Sequence, residues 1–87
     1  RRIACLSGPL EFVVSRARVA GWRTALEKAG IAIADDWLLE GDFSAPVGHK
    51  LARRLLTSTD GITAIFASND LLAIGALRAA AEPTSCL

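Results

Sequence analysis

The chain has 87 residues, is 52% apolar and 22% charged, and carries a formal net charge of +1. That balance is too apolar and too evenly charged for intrinsic disorder, and it lacks the basic excess of a nucleic-acid-binding surface. No apolar run approaches the ~20 residues of a membrane-spanning helix, and no cationic stretch leads into an apolar run and a small-residue cleavage site, so neither a membrane span nor a signal peptide is expected.

Ile3 to Ser7 (I-A-C-L-S) is a short apolar run closed by Gly8-Pro9. A continuous apolar run suits a strand buried on both faces, as in a parallel sheet. After a loop from Pro9 to Val14 the period changes. Val19, Trp22, Leu26 and Ala29 recur at steps of three and four, which predicts a helix from Ser15 to Ala29. Ser15 is placed as its N-cap and Gly30 as its C-terminal cap glycine.

Trp37 to Glu40 reads as a second strand, stopped by Gly41-Asp42-Phe43. Ser44 then caps a second helix, with Pro46 in its first turn, where a missing N–H costs little. Val47, Leu51, Leu55 and Leu56 form its stripe, and the polar segment Thr57 to Gly61 ends it. Ile62 to Ala67 (I-T-A-I-F-A) is rich in β-formers. Ser68-Asn69-Asp70 breaks that run, with Asn69 or Asp70 as N-cap of a third helix from Leu71 to Glu82, ended by Pro83.

The order is βαβαβα, with strands roughly 30 residues apart, so an α/β fold with a parallel sheet and right-handed helical crossovers is expected. Residues 1–82 form the patterned unit and residues 83–87 a tail without pattern. A chain of this size buries roughly 60–65% of its unfolded surface, so its core needs further cover. Cysteine chemistry does not supply it. Cys5 and Cys86, one near each end, form neither a disulfide framework nor a zinc spacing. Cys5 reads as a small buried hydrophobe and Cys86 as a tail residue, both free thiols suited to a reducing compartment.

In an open parallel sheet, ligands bind outside the carboxyl ends of the strands. Three segments are expected there: Gly8 to Arg18, Gly41 to Val47, and Ser68 to Asp70. Arg18 stands near the start of its helix, where the backbone dipole disfavours arginine, so its guanidinium is either solvated or aimed at oxygens of a ligand. Arg16 faces elsewhere and reads as a surface charge. Phe43 follows the second strand at its mouth, either stacking on a ring or tucked under its own helix. The Asn69 amide can donate and accept, which matches a hydroxyl-rich ligand as well as an N-cap. Asp70 reads as a cap and Asp42 as a turn residue.

Catalytic constellations are absent from the pattern. The only histidine, His49, falls inside a helix with a phase that exposes it, and Ser7 and Ser68 have no histidine placed as a base. Gly8 opens neither a dinucleotide fingerprint nor a phosphate loop, so no cofactor and no metal is expected. What remains is a ligand-binding α/β piece, not an enzyme.

Four stretches, I-A-C-L-S-G-P-L, R-A-R-V-A-G-W-R-T-A-L, E-G-D-F-S and A-I-F-A-S-N-D-L-L-A-I-G-A-L-R-A-A, in this order and spacing, resemble the effector-binding domain of the LacI/GalR family of bacterial transcriptional regulators. That domain is in turn similar to periplasmic sugar-binding proteins of type I. The resemblance runs from about Ile3 to Glu82. It implies that the family's R-x-A-G-[WF] arginine falls on Arg18, the aromatic after G-D on Phe43, and the N-D pair on Asn69 and Asp70, all toward a small effector, a sugar or related molecule. Where members often carry a small hydroxyl residue four before that arginine, this sequence has Val14.

The resemblance further implies a cytoplasmic regulator that binds operator DNA through a separate N-terminal helix-turn-helix headpiece not contained in these residues. It also implies a homodimer through the start of the second helix (Ser44, Val47) and the third helix (Leu71, Ile74, Leu77). The family continues past Glu82 into another strand and an aspartate-bearing loop, whereas this chain reads E-P-T-S-C-L. Two alternatives stand beside this: a periplasmic or ABC-type sugar-binding protein of the same fold, and a small α/β hydrolase, which no catalytic residues support.

Overall fold

The computed structural model describes residues 1–58 and 60–82. Pro83, the tail 83–87 and Cys86 lie outside the described residues. Three strands, β1 (Ile3–Ser7), β2 (Leu38–Glu40) and β3 (Ala64–Ala67), alternate with three helices, α1 (Val13–Lys28), α2 (Ala45–Thr57) and α3 (Asp70–Ala81). The sheet is parallel, in the order β2-β1-β3. The expected α/β order is therefore observed.

The middle strand explains the apolar run at the start of the sequence. Ala4, Cys5 and Leu6 have no exposed surface, because β1 has a neighbour on both sides and helices on both faces. Cys5 stands level with Leu38 and Phe66, and Leu6 with Leu39 and Ala67. Burial pushes the Cys5 thiol up to about 12, so it stays protonated and unreactive at neutral pH.

Reversal of the winding direction after β2 puts α1 on one face and the packed pair α2–α3 on the other. Val19, Trp22 and Leu26 of α1 and Leu51, Ala52 and Leu55 of α2 are buried against the sheet. Each fully buried Leu or Val contributes about 1.5–3 kcal/mol relative to exposure.

Local corrections to the expected boundaries have physical causes. α1 begins at Val13, not at Ser15, and its N-cap is Phe12, whose side chain makes no capping bond. The first helical bond runs from the Arg16 amide to the Phe12 carbonyl at 3.2 Å. Ser15 is instead completely buried, because inside the longer helix it is in phase with Val19, Trp22 and Leu26 on the face packed on the sheet. At the other end Gly30 behaves as expected. With φ of +71° it closes a Schellman motif in which the Gly30 amide donates to Glu27 and the Ile31 amide to Leu26. Ala29, the last residue of the expected stripe, is the exposed C-cap.

Trp37 is buried but belongs to a 3₁₀ turn, Asp35–Trp37, that delivers the chain into β2. β3 starts at Ala64 and not at Ile62. The preceding Thr63 is held to Arg2 by its amide, at 2.8 Å, and by its hydroxyl. β3 lies at the edge of the described sheet, so only one of its faces is covered. Ala64 and Phe66 are exposed on the α1 side, which α1 does not reach.

The closest helix contact runs through two glycines. A Cβ on Gly48 of α2 would lie 2.7 Å from the Leu72 carbonyl oxygen of α3. A Cβ on Gly75 of α3 would collide with the Ala45 carbonyl and lie 2.5 Å from the His49 amide. Gly75 weakens helix propensity, and the backbone approach it permits is the reason it is there. Beyond this contact, His49 is not a free surface residue. Its Nε2 donates to Glu82 at 2.8 Å, and Arg53 joins the same carboxylate at 3.3 Å. These donors, His49 first, hold the Glu82 carboxyl below its ordinary value.

Candidate functional site

The connection after β1 turns to one face of the sheet and the connection after β3 to the other. β1 and β3 are paired neighbours, so it is the two connections that diverge, and they leave a crevice at the carboxyl edge of the sheet. The residues expected at the sheet edge converge there.

Arg18 lies in the second turn of α1, one turn further in than expected, and still reaches the crevice. Its Nη1 donates to the Ser68 carbonyl at 2.7 Å, just past the end of β3. One of five guanidinium N–H donors is used in this bond, and the fork remains able to serve a ligand's oxygens. Ser68 also closes the crevice floor, since its hydroxyl accepts from the Gly8 amide at 3.2 Å. Arg16 is exposed as expected, yet it also holds structure in place. It donates to the Leu10 and Glu11 carbonyls, at 2.8 and 3.0 Å, and so braces the loop ahead of α1.

Phe43 is held on the same rim by its backbone. Its φ of 68° is a left-handed conformation that costs a non-glycine residue energy and persists only when the surroundings impose it. Two neighbours impose it. The Asn69 side-chain amide donates to the Phe43 carbonyl at 3.3 Å, and the Cδ1–Cε1–Cζ side of the ring occupies the space a Cβ on Gly8 would fill. The Phe43 ring stacks with Phe12, centroids 6.2 Å apart and planes inclined by 22°.

Asn69 has a double role. Its Oδ1 accepts from the Leu72 amide at 2.9 Å as the N-cap of α3, while its Nδ2 holds Phe43. Asp70 is exposed in the first turn of α3, where the helix dipole favours a carboxylate, and stands beside the crevice rather than in its hydrogen-bond network. Asp42 is the turn residue expected. Its Oδ1 accepts from the Ser44 hydroxyl at 2.6 Å and the Ser44 amide at 3.0 Å, which holds its carboxyl below the ordinary range.

The expected site residues Arg18, Phe43 and Asn69 are thus brought together from three elements. Sequence reasoning missed Phe12 and the supporting roles of Gly8 and Ser68. An aromatic immediately ahead of a helix was visible, but its meeting with Phe43, 31 positions on, was not. Ser7 and Ser15 are buried nearby with hydroxyls that have no partner among the described residues.

His49 is engaged at the C-terminal end of α3, away from the crevice at its N-terminal end, and supplies no base there. Among the described residues no group of three or more His, Cys, Asp or Glu side chains is placed to hold a metal ion, and no helix is long and apolar enough to cross a membrane. The arrangement brings together a guanidinium, a side-chain amide and an aromatic ring, the groups that polar-edged rings are recognised by.

Residues 1–84 match the family described as periplasmic binding proteins and sugar binding domain of LacI family. The chain is 38% identical over 82 residues to the HTH-type transcriptional repressor PurR of Escherichia fergusonii, covering 94% of this chain and 24% of that protein. Among solved structures it is similar to a regulatory protein of LacI family from Chloroflexus aggregans, at 35% identity and a TM-score of 0.87, covering 92% of this chain and 29% of that one. It is also similar to the transcriptional regulator CelR in complex with cellobiose, at 37% identity and a TM-score of 0.84, covering 91% and 24%. The chain spans about a quarter of the length of the curated relatives it matches.

Proposed function

Because the chain belongs to the family of periplasmic binding proteins and LacI-type sugar-binding domains, we propose that it forms one wall of the effector cleft of a LacI-type transcriptional regulator. Arg18 and Asn69 contact the polar edge of a small effector, a sugar or related molecule. Phe43 packs on its flat face, and Asp70 contacts it from the rim. The single observation that supports this reading is the Arg18–Ser68 bond between α1 and the end of β3, at the sheet edge where open α/β sheets bind ligands, with guanidinium donors to spare. The cellobiose bound to one structural neighbour supports a sugar.

Effector binding is coupled to operator DNA held by a separate helix-turn-helix headpiece of the complete protein, which works in the cytoplasm. Relatives that are transcriptional repressors support this over the periplasmic sugar-binding alternative and over an enzyme. The complete protein is a homodimer through α2 and α3. Leu71, Ile74 and Leu77 line one side of α3 and are 50%, 48% and 70% exposed, an apolar face that asks for cover. Ser44, which caps α2, and the half-buried Val47 stand at the start of the helix that packs on α3 and complete the proposed interface.

The test is operator binding by the complete protein, followed by fluorescence anisotropy while a panel of sugars is titrated in. One sugar is expected to change operator affinity by about 5- to 150-fold, the usual span of allosteric coupling. A protein that binds no operator, or whose operator affinity no panel member alters, would overturn the proposal.

A further inference from the structure

The outward face of α3 carries charge as well as apolar side chains. With 3.6 residues per helical turn, Asp70, Leu71, Ile74, Leu77 and Arg78 fall within an arc of about 120° centred on Ile74. All five are exposed, while Leu72, Gly75 and Ala79 are buried on the other side of the helix. Asp70 and Arg78 make no ion pair among the described residues, although His49 and Arg53 both reach the carboxylate of Glu82, one turn beyond Arg78. The helix dipole accounts for an acid in the first turn and a base in the last. It acts all round the helix, however, and does not place both on the apolar face.

The spacing is symmetric. Asp70 and Arg78 lie four positions before and after Ile74, and Leu71 and Leu77 lie three positions before and after it. A two-fold axis at Ile74 that sets a second α3 antiparallel brings Asp70 level with the partner's Arg78 and Leu71 level with the partner's Leu77. The arginine side chain is long enough to cross the face to the carboxylate. A parallel alignment would set Asp70 against the partner's Asp70 and Arg78 against the partner's Arg78, and like charges in juxtaposition are unfavourable.

We propose that the occupant of this face is a second copy of the chain, aligned antiparallel at α3 by two reciprocal ion pairs between Asp70 and the partner's Arg78. This rests on the dimer reading above. Exposed ion pairs add little affinity, and their use here is to select one alignment of an apolar face that alone would accept several. A carboxylate has two acceptor oxygens, so the pair leaves one for the effector that Asp70 borders.

The experiment is sedimentation of the complete protein over a range of concentrations, for the wild type, Asp70→Arg, Arg78→Asp and an equal mixture of the two variants. Each single exchange turns both pairs into like charges and is expected to weaken the dimer about tenfold or more. The mixture re-forms both pairs in a heterodimer and is expected to return close to wild-type affinity. Each exchange also opposes the helix dipole, so unfolding midpoints are recorded beside it, and Asp70→Asn, a milder change, is expected to weaken the dimer severalfold. A loss of fold alone would not be repaired by mixing.

A dimer that no exchange weakens, or that mixing fails to restore, would overturn the pairing while the dimer itself stands. A complete protein that stays monomeric at every concentration would overturn the dimer reading and this inference with it.

Discussion

Arg18 and Ser68 are 50 residues apart in the chain, and the Arg18 guanidinium donates to the Ser68 carbonyl at 2.7 Å. This bond ties α1 to the end of β3 across the crevice where the winding of the sheet reverses. It holds a long, flexible and exposed cation at the carboxyl edge of the sheet.

Arg18→Ala is expected to abolish the effector response of the complete protein while the fold survives. The lost bond is partly exposed and costs about 1 kcal/mol of stability. Operator affinity with and without effector, read beside the unfolding midpoint, checks this. A variant that responds normally would remove Arg18 from the site.

Asn69 separates capping from ring positioning. Asn69→Asp keeps an oxygen for the Leu72 amide but loses the donor to the Phe43 carbonyl, so stability is expected to hold while effector affinity drops. Asn69→Ala loses both and is expected to cost a further ~1 kcal/mol of stability. Equal affinities in the wild type and the aspartate variant would show that the Asn69–Phe43 bond does not position the ring.

Gly75→Ala and Gly48→Ala each push a methyl group into the backbone of the opposite helix. A loss of about 1–3 kcal/mol is expected for each, larger at Gly75, against the small gain that alanine brings inside an isolated helix. Urea denaturation of the complete protein measures it. A stabilised Gly75→Ala variant would mean that α2 and α3 do not approach this closely.

Glu82 contributes stability that depends on pH. Its carboxyl sits below the ordinary 4.5 because His49 and Arg53 donate to it. A folded-state value below the unfolded one adds stability above the unfolded value, lost as pH falls through the folded value. The wild type is therefore expected to exceed Glu82→Gln in unfolding midpoint near about pH 6 and to converge with it toward about pH 3. A difference that grows on acidification would have the opposite sign and would exclude this ion pair.

Much of the fold was legible because its signals are local. The apolar run of Ile3–Ser7 matches the strand to the residue, and the steps of Val19, Trp22 and Leu26 match the buried side of α1. Ser44 and Asn69 cap α2 and α3 as their residue types predict, since a short polar side chain ahead of a helix has an amide to satisfy. Ser15 misled for the same reason. It is an equally good capping type, and only the packing of α1 on β1 turned it inward. His49 was read from helical phase alone, which carries no information about a carboxylate 33 positions later.

For the site, residue type and topology were enough to nominate Arg18, Phe43 and Asn69, because a parallel sheet must place its strand-end loops on one edge. Tertiary structure decided what those residues do there. It gave Arg18 its Ser68 partner, forced Phe43 into a left-handed backbone over Gly8, and set Phe12 against it. It also made a weak helix former, Gly75, the point of closest helix contact. The division has a physical cause. Strand, helix and cap preferences depend on residues within a few positions of each other, and the sequence states them directly. A hydrogen bond or ring contact between residues 26 to 50 positions apart depends on how the layers pack, which no short window of sequence contains.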